Sequence, residues 1–199
     1  MIMSNGKILT EQRRGQIEAA TEDKTKRLSS AIRDVLSIVD TLEMLKYNIT
    51  LKETVKDEGE TPTPSSLQDL FDTAEFSLLG AGTEIYSLVN DITNILIGSQ
   101  GIPVISENNE KEETSPPDMP GSIPERIYNA YKVSSKAFEY IERLKYKLTG
   151  KENSLKKGAE VDEPTPSVEY ILNILPIELV NMTIEAKDNI TDIRTILGV

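Results

Sequence analysis

Two short clusters, Lys46-Tyr47-x-x-Thr50-x-Lys52 and Lys145-Tyr146-x-x-Thr149-x-Lys151, hold the residues whose types and spacing could do chemistry in this chain. They sit in LKYNITLKE (45–53) and LKYKLTGKE (144–152), which agree at six of nine positions. Lysine supplies charge to an anion, and tyrosine stacks or hydrogen-bonds. A symmetric pair of such clusters suits a two-fold anionic ligand such as a cyclic dinucleotide. The same residues also suit a plain helix end. There, lysine complements the macrodipole, tyrosine covers the end of a core, and Lys-Glu is a solvated pair. Both readings stand on the residues alone.

Other chemistry is narrowed by what is missing. The 199 residues include no histidine, cysteine or tryptophan. The common general base, the thiol nucleophile and the usual zinc and copper ligands are therefore gone. Carboxylate, serine or lysine catalysis is still open, but no acid pair has a motif-level spacing, so no catalytic residue is nominated and the expectation is a non-enzyme without metal or cofactor. Without cysteine there is no disulfide framework, and a reducing cytoplasm is the default location. The start, MIMSNGKILTEQRRGQ, has no apolar stretch before its charges, so no secretory signal is expected. No apolar run approaches the roughly 20 residues that span a bilayer.

A net charge of −11 argues against direct nucleic-acid binding and raises the opposite idea, a DNA mimic. The segments 49–64, 99–121 and 150–165 together hold −7 of that charge. They read as loops, whereas a mimic needs carboxylates fixed on one face. Mimicry ranks third.

The elements that must position the two clusters follow from self-similarity. Besides the opening pair, Pro-Thr-Pro occurs at 62–64 and 164–166, and DIxxIL at 91–96 and 192–197. The offsets are 99, 102 and 101. Three landmarks in one order at nearly one offset indicate a tandem duplication. In the first copy Leu28, Ile32, Val35, Val39, Leu42, Leu45 and Ile49 recur at helical spacing, and Ile127, Tyr131, Ser134, Phe138, Ile141, Leu144 and Leu148 answer them. A second helix follows in each copy, through Leu70, Leu78, Ile85 and Ile92, and through Ile171, Leu179, Ile190 and Ile193. Thr63-Pro64 and Thr165-Pro166 are the expected N-cap and first helical residue. Interruptions are expected at Gly80-Ala81-Gly82 and Pro176, with a close helix contact the alternative at the glycines.

The expected architecture is all-α: two tandem helical hairpins forming a pseudo-twofold four-helix bundle, equivalent to a fused homodimer. Its parts are a polar leader (1–22) that can extend the first helix, repeat 1 (23–98), a flexible acidic, proline-rich linker (99–124) and repeat 2 (125–199). The inner loops, about 50–62 and 149–164, exceed the usual bundle connection and would be functional or disordered.

A helix ending in LKYKLTGKE, an acidic loop, DEPTPS and a second helix resembles small acidic helical-hairpin proteins of bacteriophages, most without an assigned function. The resemblance covers 28–98 and 127–198, and those relatives usually carry one copy. It implies a non-enzymatic protein in the host cytoplasm that antagonises host defence, by binding a defence protein or as a sponge for a nucleotide immune signal at the paired clusters. The alternative is a protein–protein module, an inhibitor of a host enzyme or a virion assembly or scaffold component, which would use an exposed helix face. Self-association into a homo-oligomer is compatible with either.

Overall fold

The computed structural model describes residues 5–51, 66–98, 121–150 and 166–199, with the backbone alone for 5–19. The protein is all-α. Its helices are α1 (Asn5–Thr50), α2 (Leu67–Ile97), α3 (Ile123–Thr149), α4 (Val168–Asn173) and α5 (Leu175–Leu197). No strand occurs among the described residues. The stretch read as a leader belongs to α1 from Asn5 onward, and α3 starts just inside the segment read as linker.

The apolar stripes meet in one core. Leu28, Val35, Val39, Leu42 and Leu45 are buried, as are Ile127, Ser134, Phe138, Ile141 and Leu144 at positions 99 later. On the second helix of each copy Leu70, Leu78, Val89 and Ile92 are buried, as are Ile171, Leu179, Ile190 and Ile193, 101 later. Each fully buried aliphatic side chain contributes roughly 1.5–3 kcal/mol relative to exposure, so these stripes hold the helices together. Packing runs in a ring: α1 on α2, α2 on α3, α3 on α5, and α5 with α4 on α1. Among the described residues the diagonal pairs α1–α3 and α2–α5 make no close backbone contact.

The direction of the helices corrects the expected hairpins. Arg126, in the first turn of α3, meets Asp72 and Glu75 near the start of α2. Ser134 then reaches Leu78, and Tyr140 packs on Tyr86. Along α3 and α4–α5, Tyr128 packs on Tyr170 and Lys145 reaches Asn189. Paired positions advance together, so these helices are parallel. Lys46 near the end of α1 likewise meets Asp91 near the end of α2. An antiparallel α1 in that register would carry Leu28 far past the end of α2, yet Leu28 is fully buried.

Parallel neighbours give the long inner loops an architectural reason. Each connection must return from the C-terminal end of the bundle to its N-terminal end, about 44 Å at 1.5 Å per residue. That distance needs at least about 13 residues of extended chain. The connecting residues 52–65, 99–120 and 151–165 lie outside the described ones. In register, the starts of α2, α3 and α4 lie level with about residue 22 of α1. Asn5–Thr21 therefore projects beyond the other helices by about 25 Å.

Helix starts differ in detail from expectation. Ser66 caps α2 by accepting from the Asp69 N–H, and Ser167 caps α4 by accepting from Tyr170 N–H, both at 3.1 Å. The short serine side chain, one or two residues after the proline, reaches the orphan donor of the third helical residue. Pro166 lies before the helix, while Thr63, Pro64 and Thr165 fall outside the described residues. α2 runs unbroken through Gly80-Ala81-Gly82. Those glycines serve the close contact instead: a Cβ on Gly82 would lie 2.9 Å from the Ser134 backbone nitrogen. The break in the other copy is real, with Ile174 ending α4 and Pro176 in the first turn of α5, where a missing N–H is harmless.

Candidate functional site

The parallel packing brings the two repeated motifs of each copy together. Lys46 Nζ donates to Asp91 Oδ2 at 2.6 Å, and Lys145 Nζ pairs with Asp192 Oδ2 at 2.5 Å. Lys145 also donates to Asn189 Oδ1 at 3.0 Å. The lysine comes from LKY and the aspartate from DIxxIL, so each copy ties its two helices near their C-terminal ends. Parallel helices place their negative dipole ends side by side, and a lysine close to both offsets that repulsion. The lysine side chains are only 25% and 27% exposed.

The threonines are used locally. Thr50 donates to the Lys46 carbonyl at 2.8 Å, and Thr149 to the Lys145 carbonyl at 3.0 Å. Tyr47 is exposed. Tyr146 is half-buried, and a hydrogen bond with Glu142 raises its phenol above the ordinary range. Lys52 and Lys151 lie outside the described residues. The first-helix caps occupy matched positions, Leu51 with φ 53° and Gly150 with φ 65°. Glycine takes this left-handed conformation freely, whereas leucine is strained in it. The two corners stand at the same end of the bundle but on opposite edges, α1–α2 and α3–α5.

A second cluster, not signalled by the repeats, lies at the other end between α3 and α4–α5. Tyr170 Oη donates to Glu178 Oε2 at 2.5 Å, bridging the break between α4 and α5. Tyr128 stacks edge-on against Tyr170, with ring centroids 5.6 Å apart, and Lys132 Nζ lies 5.3 Å from the Tyr128 ring centroid. Burial, with the neighbouring Glu178 carboxylate, pushes Tyr131 up to about 12 and Tyr170 well above the usual phenol range. Neutral, hydrogen-bonded phenols are poor nucleophiles at neutral pH, so this cluster reads as a brace across the kink. Matched positions in the first copy hold Ser29, Ile32, Asp69 and Ser77, so only the second copy has it.

The feature missed by sequence reasoning is on the outside. Ile174, at the break between α4 and α5, and Ile177, Val180 and Ile184 of α5 are exposed, Ile177 by 61% and Ile184 by 55%. Their three-to-four spacing puts them on one face. The signal was present but hidden, because α5 is apolar on its core face as well. On α2, Phe76 stands at the position matching Ile177 and borders a shallow depression of about 460 Å³ lined by Leu79, Gly80, Thr83, Glu84 and Ser87.

Among the described residues no group of three or more acidic, histidine or cysteine side chains could hold a metal ion. None of the described helices is long and apolar enough to cross a membrane. No family model, curated protein or solved structure matches this chain.

Proposed function

We propose that the chain is a non-enzymatic, duplicated interaction protein that works through the outer face of α4–α5. The observation that carries this reading is the exposed stripe Ile174, Ile177, Val180 and Ile184. Four large aliphatics in line on one solvent face are costly to leave uncovered, and such a stripe is what a partner helix recognises at three-to-four spacing. The matching burial of positions 99 and 101 apart supports the duplication. In this account the activity is occupancy of a partner, in keeping with the phage-type, anti-defence role implied by the resemblance. The test is reciprocal capture with wild-type and Ile177→Lys/Ile184→Lys chains. A stoichiometric protein held by the first and released by the second supports the reading. Equal retention by both contradicts it.

The nucleotide sponge is the second reading, favoured by the placement of both Lys-Tyr corners at one end of the bundle. Against it, each lysine already has a carboxylate partner. An anion would have to displace Asp91 and Asp192 from opposite edges. Isothermal titration with cyclic dinucleotides tests it. Binding that disappears in Lys46→Ala/Lys145→Ala supports the sponge, and absence of binding removes it.

A further inference from the structure

We propose that the α4–α5 face binds the outer row of α3 from a second copy of this chain, in a two-fold dimer whose axis runs parallel to the helices. The inference rests on the helix-face reading above and names its partner. α3 carries six basic and three acidic residues in a chain of net charge −11. It turns Lys136, Arg143 and Lys147 outward, opposite its core residues Ile127, Ser134 and Ile141. α5 turns Ile177, Ile184 and Asp188 outward at the same spacing of seven and then four residues. The charges beside these rows find little use within the chain. Lys136, Lys147, Glu185 and Asp188 make no ion pair with another described residue. Arg143 stacks 5.1 Å from the centre of the Tyr140 ring and reaches Glu139 only at 3.5 Å, and its Nε has no acceptor among the described residues.

The two rows also agree in height. α3 and α5 are neighbours in the ring, and Lys145 stands level with Asn189. A two-fold axis parallel to the bundle keeps every residue at its own height, so α3 of one copy meets α5 of the other in that same register. Lys136 then comes level with Val180, between Ile177 and Ile184, where its aliphatic stem covers the two isoleucines. Arg143 comes between Glu185 and Asp188, and Lys147 about one turn beyond Asp188. Lys187, the basic residue nearest this row, points about 100° around the helix from Asp188. The rows interleave as ridges into grooves, and unpaired charges meet opposite ones. Two-fold symmetry makes the contact twice. An axis across the helices would instead lay α3 on α3, with each basic row against the other, so charge selects the parallel axis.

The test is native mass spectrometry and light scattering of the full chain at micromolar concentration. Three variants accompany it: Lys136→Glu/Lys147→Glu, Glu185→Lys/Asp188→Lys and Ile177→Lys/Ile184→Lys. The intact chain is expected at twice its 22.1 kDa mass, and each variant alone at single mass. An equimolar mixture of the first two variants should recover the double mass. In that mixed pair one contact has both charges reversed and the other has neither, so complementarity returns on both sides. Recovery on mixing also separates loss of contact from misfolding, and circular dichroism checks that each variant keeps its helices. An intact chain that stays at single mass up to about 100 μM overturns the inference. So does a dimer that survives any one of the variants, or a pair of helical charge variants that stay apart when mixed. A single-mass chain that captures a different protein, and loses it in Ile177→Lys/Ile184→Lys, overturns the dimer and leaves the helix-face reading standing.

Discussion

The two ends of the bundle treat the repeat in opposite ways. At the C-terminal end the copies agree: Lys46–Asp91 and Lys145–Asp192 tie corresponding helices, and Thr50 and Thr149 make the same bond back to the backbone. At the N-terminal end they part. The second copy has the Tyr128, Tyr131, Tyr170 and Glu178 brace across a kink, while the first has an unbroken α2 and a projecting α1. What is written twice closes the fold at the end where parallel dipoles repel. What is written once shapes the surfaces that can differ, and those are where we place the interaction.

The largest effect is expected midway between the ends, where the two sides of the ring also differ. Gly82 lets α2 approach α3 closely, while the matched position on α5 holds Thr183. Gly82→Val should destabilise the fold by about 1–3 kcal/mol through forced separation of α2 and α3. Chemical denaturation checks this, and a loss no larger than that of exposed Gly80→Val would refute the close-contact role.

Next in size is the brace. Glu178→Ala strands the buried Tyr170 hydroxyl and should cost about 1–3 kcal/mol. The brace also sets an alkaline limit. Tyr131 and Tyr170 have folded-state pKa values raised above the ordinary 10, so their contribution is fully present below pH 10. It is lost as the pH climbs from 10 toward 12 and beyond, because ionisation is easier in the unfolded chain. Melting temperature should fall through that window, and Tyr131→Phe/Tyr170→Phe should flatten the fall. An unchanged slope would show that these phenols are not the cause.

The C-terminal corners should give smaller, paired effects. Lys46→Ala and Lys145→Ala are each expected to cost about 0.2–1 kcal/mol, in keeping with partly exposed ion pairs. Lys145 should lose more, since it also holds Asn189. Leu51→Gly should do the reverse and stabilise by about 1 kcal/mol, removing left-handed strain that Gly150 avoids. A destabilised Leu51→Gly would mean that the exposed leucine makes a contact worth more than the strain.

Much of this was legible in the chain. Helical spacing at Leu28–Ile49 and Ile127–Leu148 identified the core faces, and many positions that the offsets relate are buried alike. Helix direction was not legible. Periodicity carries no polarity, and a connection of about 15 residues can close a hairpin or run the length of a bundle. The link between LKY and DIxxIL was available in principle, since a lysine and an aspartate recur at nearly one offset, but pairing them requires parallel helices. The α5 face was hidden because Ile177 and Ile184 lie among core residues of the same type, so composition alone does not separate the inner stripe from the outer one.

The central claim is that the repeated corners hold the fold while the α4–α5 face makes the contact. Capture of partner protein by two double variants under one set of conditions tests it most directly, with thermal melts of the same samples as the stability readout. Lys46→Ala/Lys145→Ala should melt earlier and still hold the partner that the wild-type chain captures. Ile177→Lys/Ile184→Lys should melt as wild type and release that partner. The opposite assignment, with the corner variant released from the partner and the face variant still holding it, would contradict the account.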